Sequence, residues 1–260
     1  MPTSLLKKVG LFIYPSLLPR QVQVALLDKL LHRDLSNPEH QTNIHLHYHM
    51  PELSKQGGED CGSYFDSSSS NLSFVPKDPS VHKPFTTPQF LNKKLRWVTL
   101  GGQYDWTEKF YPSGPPPSFP ADIKHLVEKI FPMRAEAAIL NLYSPGNTLS
   151  LHRDVSEECD RPLVSISLGC DAIFVVGTTS GDENNLSNVA ALRLKSGDAV
   201  LMSGDSRYAW HGVPRVLKDT CPGWLQRWPC SESANHNYYE HWSDWMSEKR
   251  VNLNIRQMFE

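Results

Sequence analysis

The chain of 260 residues has no run of about 18 consecutive apolar residues, so no segment is expected to span a membrane. Cysteine is scarce. Cys61, Cys159, Cys170, Cys221 and Cys230 contain no Cys-x-x-Cys pair and their number is odd, which indicates neither a zinc knuckle nor a closed disulfide framework and fits a reducing compartment. An excess of charge is missing as well: the formal net charge is −2. Gripping long duplex through a broad basic surface depends on the number of phosphates neutralised, so any nucleic-acid contact is expected to be local. The N-terminus carries Lys7, Lys8 and Arg20 with no acid before Asp28, but it lacks the Ser- and Arg-rich amphipathic character of a transit peptide. The cytoplasm or nucleus is therefore expected, with the mitochondrion left open. No internal repeat is evident, and a chain of this size accommodates one catalytic core with an N-terminal extension.

What is present is concentrated near the C-terminus. Read as a strand, Arg250 to Gln257 places Arg250, Asn252, Asn254 and Arg256 on one face and Val251, Leu253 and Ile255 on the other. With the apolar face packed on a second layer, two guanidiniums and two amides point the same way, an arrangement suited to a dicarboxylate or a phosphate. The alternative is a surface strand with a solvated polar face. Upstream, His152 and Asp154 are two positions apart, so on a strand they project from one side and can reach one ion. His211 follows the apparent strand Asp198 to Met202 at the rim of a sheet. Two His and one carboxylate on one face of a metal leave the opposite positions open, the facial arrangement of non-haem Fe(II) oxygenases. A competing metal site is Asn43 to His49, where strict alternation would put His45, His47 and His49 on one face of a strand.

Along the chain, Val9 to Tyr14 reads as a short strand and Arg20 to Arg33 as a helix with Val24, Leu27 and Leu31 at helical spacing. Ser54 to Pro88, with four consecutive serines, reads as a long loop; Pro112 to Pro120 is a shorter one, and a second helix runs from Ala121 to Ile130. From Arg134 onward strand and turn signals recur as in a double-sheet jelly roll. The expected fold is α+β, a double-stranded β-helix (jelly roll) core with N-terminal helices packed on one sheet. It divides into an N-terminal extension, 1–133, and a core, 134–260, with an insertion at 218–249.

The chain resembles the AlkB family of Fe(II)- and 2-oxoglutarate-dependent dioxygenases. The matching stretches are Ala138 to Tyr143, Leu149 to Asp154, Pro162 to Gly169, Ala172 to Phe174, Ser196 to Asp198, Ser203 to Arg207, His211 to Val213 and Arg250 to Gln257. Leu95 to Gly101, Arg134 to Ala137 and Val213 to Val216 look most like the eukaryotic branch called AlkB homologue 1. The resemblance implies His152, Asp154 and His211 as Fe(II) ligands, with 2-oxoglutarate and dioxygen as co-substrates. It implies that 2-oxoglutarate is decarboxylated to succinate and CO2 while an N-alkyl carbon is hydroxylated, and that the product falls apart to amine and aldehyde. Arg250 would hold the distal carboxylate of 2-oxoglutarate and Arg256 the one near iron, with Asn141, Tyr143 and Asn252 completing the site. Six residues along a strand separate two Cα atoms by roughly 20 Å. Both arginines can grip one short diacid only if they lean together.

The implied substrate is a methylated base, of adenine type, in tRNA or DNA, unpaired or flipped, met by a monomer. Trp97, Tyr104 and Trp106 around Gly101-Gly102 form an aromatic group able to stack a base, with ordinary core as the alternative for Trp97. Lys93, Lys94 and Arg96 could touch phosphate. Where bacterial members have an acid two positions after the metal Asp, this chain has Ser156, then Glu157 and Glu158. Ser156 and Glu157 are thus candidates for base contact, and the bacterial substrate does not carry over. The insertion, with Trp224, Trp228, Trp242 and Trp245, is long enough to reshape the rim of the site. Other readings are a dioxygenase acting on a protein or small molecule, or a metal-free binding module on the same fold.

Overall fold

The structure, a computed structural model, describes residues 10–53, 62–105, 108, 110–112, 114–179, 186–230 and 239–260. Two antiparallel sheets face one another. The major sheet has the order β1 (Leu11–Tyr14), β11 (Ala199–Met202), β8 (Leu163–Gly169), β13 (Arg250–Arg256), β6 (Ala137–Tyr143) and β5 (Trp97–Gly101). The minor sheet has the order β10 (Leu186–Leu194), β9 (Ala172–Thr179), β12 (Trp210–Val216) and β7 (Leu149–His152). The N-terminal segment therefore supplies both edges of the major sheet, β1 and β5.

Alternation in the three central strands decides which side of the major sheet is greasy. Val251, Leu253 and Ile255 on β13 are completely buried, and they pair with Leu168, Ile166 and Val164 of β8 and with Leu142, Leu140 and Ala138 of β6. Because the side-chain period is two, the residues between them form a polar face: Asn141, Asn252 and Ser167 in one row, Ile139, Asn254 and Ser165 in the next. The apolar face shares one cluster with Leu27, Leu30 and Leu31 of the first helix and Ile123 and Val127 of the second. Burying side chains of this kind is worth about 1.5 to 3 kcal/mol each.

The first helix, α1 (Arg20–Asp28), continues through wider turns to Asp34, as its spacing predicts, and α2 runs Ala121–Ile130. Asp122 in the first turn of α2 and Lys129 in the last suit the helix dipole. Arg33 joins the two helices, 2.7 Å from Asp34 and 2.7 Å from Asp122.

Three expectations change. The segment 54–88 is not simply loop, since beyond the undescribed 54–61 it contains β3 (Ser73–Pro76) and β4 (Phe85–Thr86), which form a small sheet with β2 (Tyr48–His49). Phe65, Phe74 and Phe85 anchor this region in the core, and their burial outweighs the Ser/Pro/Gly composition. Asn43 to His49 is mostly turn: Thr42 Oγ1 bonds the Nδ1 of His45, and only Tyr48 and His49 enter a strand. The three imidazoles therefore do not line up, and among the described residues they form no metal-binding group. The insertion does not reach the rim in its described part. Trp228, Trp242 and Trp245 pack their rings 5.1, 5.6 and 5.1 Å from Phe65, Trp228 Nε1 donates to Asp28 at 2.7 Å, and Trp224 lies under Arg20. Aromatic burial ties this segment to α1.

Candidate active site

His152 ends β7 and His211 is the second residue of β12, and the two strands pair so that these residues stand opposite each other, ring centroids 4.4 Å apart. Gly212 permits this closeness, because a Cβ there would lie 2.8 Å from the carbonyl oxygen of Leu149. Asp154 follows two residues after His152. Its Oδ1 lies 3.8 Å from His152 Nε2 and its Oδ2 3.8 Å from His211 Nε2. Donors about 2.1 Å from a shared ion can be that far apart. The tautomers also fit. Nδ1 of His152 is 2.9 Å from the Ser150 carbonyl and Nδ1 of His211 is 3.0 Å from the Ala209 carbonyl. Each Nδ1–H donates to a carbonyl, which leaves the Nε2 lone pairs for a metal. Burial alone would raise the Asp154 pKa, but Arg256, His211 and His152 override it and hold the carboxyl well below the usual range. His211 is lowered, mainly by burial. Two imidazoles and one carboxylate form a donor set suited to Fe(II).

The cavity around it has a volume of about 410 Å³ and is lined by polar residues of β6, β8 and β13 and by apolar Leu149, Leu163, Phe174 and Val213. At one end lies Arg250, only 1% exposed. Its Nη2 donates to Ser167 Oγ at 3.2 Å, while Nε and Nη1 have no hydrogen-bond partner. A buried guanidinium with unmet donors is costly unless an anion meets it, so this residue fits one carboxylate of a diacid. Tyr143 stands opposite Arg250 across β6, and burial drives its hydroxyl pKa up to about 12. Asn252 donates to Ser165 Oγ at 2.8 Å and to the Ile166 carbonyl at 3.0 Å, and Asn141 lies beside it in register.

With a His-x-Asp…His centre between two jelly-roll sheets and an unmet arginine behind it, the sequence comparison becomes decisive: the model of the 2OG-Fe(II) oxygenase superfamily matches residues 10–256. The chain belongs to that superfamily. Within it the chain falls in the AlkB family, on the AlkB homologue 1 branch. It is 50% identical over 268 aligned positions to the N6-methyladenosine RNA demethylase ALKB1 of Pyricularia oryzae, covering 96% of this chain and 75% of that one. It is 38% identical to the tRNA demethylase abh1 of Schizosaccharomyces pombe, covering 98% of this chain and 81% of that one. The solved structure of OsALKBH1 shares the fold, with a TM-score of 0.56 at 20% identity over 95% of this chain and 96% of that chain.

For this oxygenase the remaining predicted residues separate. The two arginines of β13 both line the cavity, but their partners differ. Arg256 places Nη2 2.8 Å from Asp154 Oδ2 and Nε 3.0 Å from Glu157 Oε1, so it is bound to protein carboxylates. Glu157 lines the cavity, but its side chain is 2% exposed and lies 2.7 Å from Arg207 Nη2, so its charge is already paired within the protein. Trp97 needs revising. It sits opposite Asn141 on the edge strand β5, on the site face of the sheet, but does not line the cavity. Trp106 lies outside the described residues. Tyr104 does line the cavity, accepts from Ser156 Oγ at 3.3 Å, and packs edge-on against Tyr111 at 5.3 Å. Lys94 lies over Phe85 and Arg96 donates to Asn147, while neither lines the cavity. Sequence reasoning missed Tyr111 and Arg153, both lining residues, because nothing local marks a tyrosine in a Pro-rich loop or an arginine between two ligands. Asn254 was on the polar face but given no task; its Nδ2 donates to Asp154 Oδ2 at 3.3 Å.

Proposed function

We propose that this chain is a dioxygenase that removes a methyl group from adenine in RNA or DNA, acting on an unpaired or flipped base. The observation that carries the reading is one cavity holding the His152–Asp154–His211 group, the unmet Nε and Nη1 of Arg250, and the tyrosine pair Tyr104–Tyr111. The names of the relatives, demethylases of N6-methyladenosine in RNA and of tRNA, point to the same chemistry. When bound, Fe(II), 2-oxoglutarate and dioxygen supply the oxidation of an N-methyl carbon.

The chain's own residues do the positioning. His152, Asp154 and His211 would hold the metal on one side, leaving the opposite side to co-substrates. Arg250 would fix one end of 2-oxoglutarate, with Tyr143, Asn141 and Asn252 shaping the polar wall. Tyr104 and Tyr111 would stack the base, worth about 1 to 3 kcal/mol per base. Leu149, Phe174 and Val213, which line the cavity, would form an apolar wall beside the reacting carbon. Among the described residues no lysine lines the cavity, and the carboxylates of Asp154 and Glu157 are both paired with Arg256.

The test is anaerobic titration with Fe(II) and 2-oxoglutarate, then succinate measurement in air with and without methylated and unmethylated oligonucleotides. Succinate formation stimulated by N6-methyladenine-containing RNA or DNA, with release of an aldehyde, is the expected result. Stimulation by a protein extract and by no oligonucleotide would overturn the substrate class.

A further inference from the structure

Arg207 is among the largest fully buried side chains, yet it does not line the cavity. It lies in the turn Gly204–Tyr208 that feeds directly into β12 and His211. All three of its nitrogens are used across a gap of about fifty residues: Nε donates to the Arg161 carbonyl at 2.9 Å, Nη1 to the Asp154 carbonyl at 2.8 Å, and Nη2 to Glu157 Oε2 at 2.7 Å. The other oxygen of Glu157 faces Arg256 Nε at 3.0 Å, and Arg256 Nη2 faces Asp154 Oδ2 at 2.8 Å. Asp154 is thus held twice, by its main chain directly from Arg207 and by its carboxylate through Glu157 and Arg256.

We propose that Arg207 and Glu157 are positioning residues that preset Asp154 against His211 before metal binds. The four charges alternate along the chain Arg207, Glu157, Arg256, Asp154, and the side chains of Arg207, Glu157 and Arg256 are at most 6% exposed, so water does not screen them. Glu157 holds Arg256 Nε in an ion pair at 3.0 Å, although the N–H is not aligned for a hydrogen bond. Without it, Arg256 is free to turn both donors onto Asp154 in a bidentate pair that competes with a metal for the carboxylate. The contact of Arg207 with the Asp154 carbonyl fixes the segment after β7 to the turn before β12, so the two ligand-bearing segments move as one. The proposal rests on the metal-site reading above.

The experiment is calorimetric titration of Mn(II) into the apoprotein, free of 2-oxoglutarate, for wild type, Glu157→Gln and Arg207→Lys, with thermal unfolding of each apoprotein alongside. Glu157→Gln keeps the volume and Arg207→Lys keeps the charge but loses the fork. We expect both folded variants to bind Mn(II) at least tenfold more weakly. Once saturated with Mn(II), they should bind 2-oxoglutarate within about threefold of wild type, because Arg250 is untouched. A folded Glu157→Gln protein with Mn(II) affinity within twofold of wild type overturns the proposal, even if its unfolding temperature falls, since that is the mark of a plain structural brace. Should Arg207→Lys not fold, Glu157→Gln alone decides. Wild-type protein that binds no Mn(II) overturns the metal-site reading and the clamp together, whereas weakened variants beside a normal wild type cannot come from a failed reading.

Discussion

Replacing Arg250 by Met separates ligand recognition from fold, because the two effects have opposite signs. The guanidinium of Arg250 is 1% exposed and makes one hydrogen bond, from Nη2 to Ser167, while Nε and Nη1 have no protein partner. Burial pushes its pKa below the ordinary arginine value. A charge in that condition destabilises the fold, and an apolar side chain of similar length is often neutral or stabilising. With 2-oxoglutarate bound, Nε and Nη1 would meet a carboxylate, and hydrogen bonds to charged groups contribute about 1.5 to 3 kcal/mol each. Two such bonds, allowing for imperfect additivity, come to about 3 to 5 kcal/mol, which is on the order of a hundredfold to several thousandfold in affinity. The assay is calorimetry of 2-oxoglutarate into Mn(II)-loaded protein under anaerobic conditions, together with thermal unfolding. Wild type at a hundredfold excess over Kd should gain about 2.7 kcal/mol, roughly 5 to 10 °C for a chain of this size. Arg250→Met should show no such gain while its ligand-free unfolding temperature stays level or rises. An affinity within threefold of wild type would refute the assignment of the unmet donors. A ligand-free protein several degrees less stable would show instead that Arg250 is needed to hold β13 against β8.

Single replacement of His152, Asp154 or His211 by Ala should abolish 2-oxoglutarate turnover while leaving a cooperative unfolding transition, because one lost ligand leaves the facial set incomplete; wild-type succinate formation by any of them, metal carry-over excluded, would remove the iron assignment. Tyr111→Ala should reduce oligonucleotide demethylation about tenfold, in line with a lost stacking contact of 1 to 3 kcal/mol, while succinate formed without oligonucleotide stays near wild type, and equal losses of both would show a role in co-substrate binding. His32, half-buried against Phe65, Trp228 and Tyr239, has its pKa lowered by loss of solvation from 6.5 to about 4. The unfolded chain therefore binds more protons between those values, so stability is complete above about pH 6.5, declines as pH falls and levels off near 4, a loss on the order of 3 kcal/mol. Chemical unfolding across that range should show His32→Leu with a smaller acid loss than wild type, and identical pH profiles would contradict the half-buried neutral ring. Phe65→Ala should cost about 3 to 5 kcal/mol of stability, since this completely buried ring touches three tryptophans; a loss below 1 kcal/mol in denaturant unfolding would mean that the tryptophans collapse into the space.

Local pattern carried much of this protein. Alternation in Arg250 to Arg256 depends only on the two-residue period of a strand, and the pairing of β13 with β6 and β8 keeps that period in register. The His152-x-Asp154 spacing likewise puts two donors on one side whatever the rest of the chain does, and the helices at Arg20 and Ala121 follow from their own apolar spacing and prolines. Tertiary structure decided what each polar group faces. Whether the polar side of β13 met solvent or a second sheet could not be read from the strand, and neither could the division of labour between Arg250, with no carboxylate partner among the described residues, and Arg256, ion-paired with Asp154 and Glu157. Glu157 as a base reader and the tryptophans of the insertion as a rim were both composition readings, and the contacts these side chains make were decided by partners far away in sequence: Arg207 for the first and Phe65 for the others. The physical reason is that period and propensity act over a few residues, whereas burial and charge pairing depend on which distant segments meet, and that is settled only when the whole core forms.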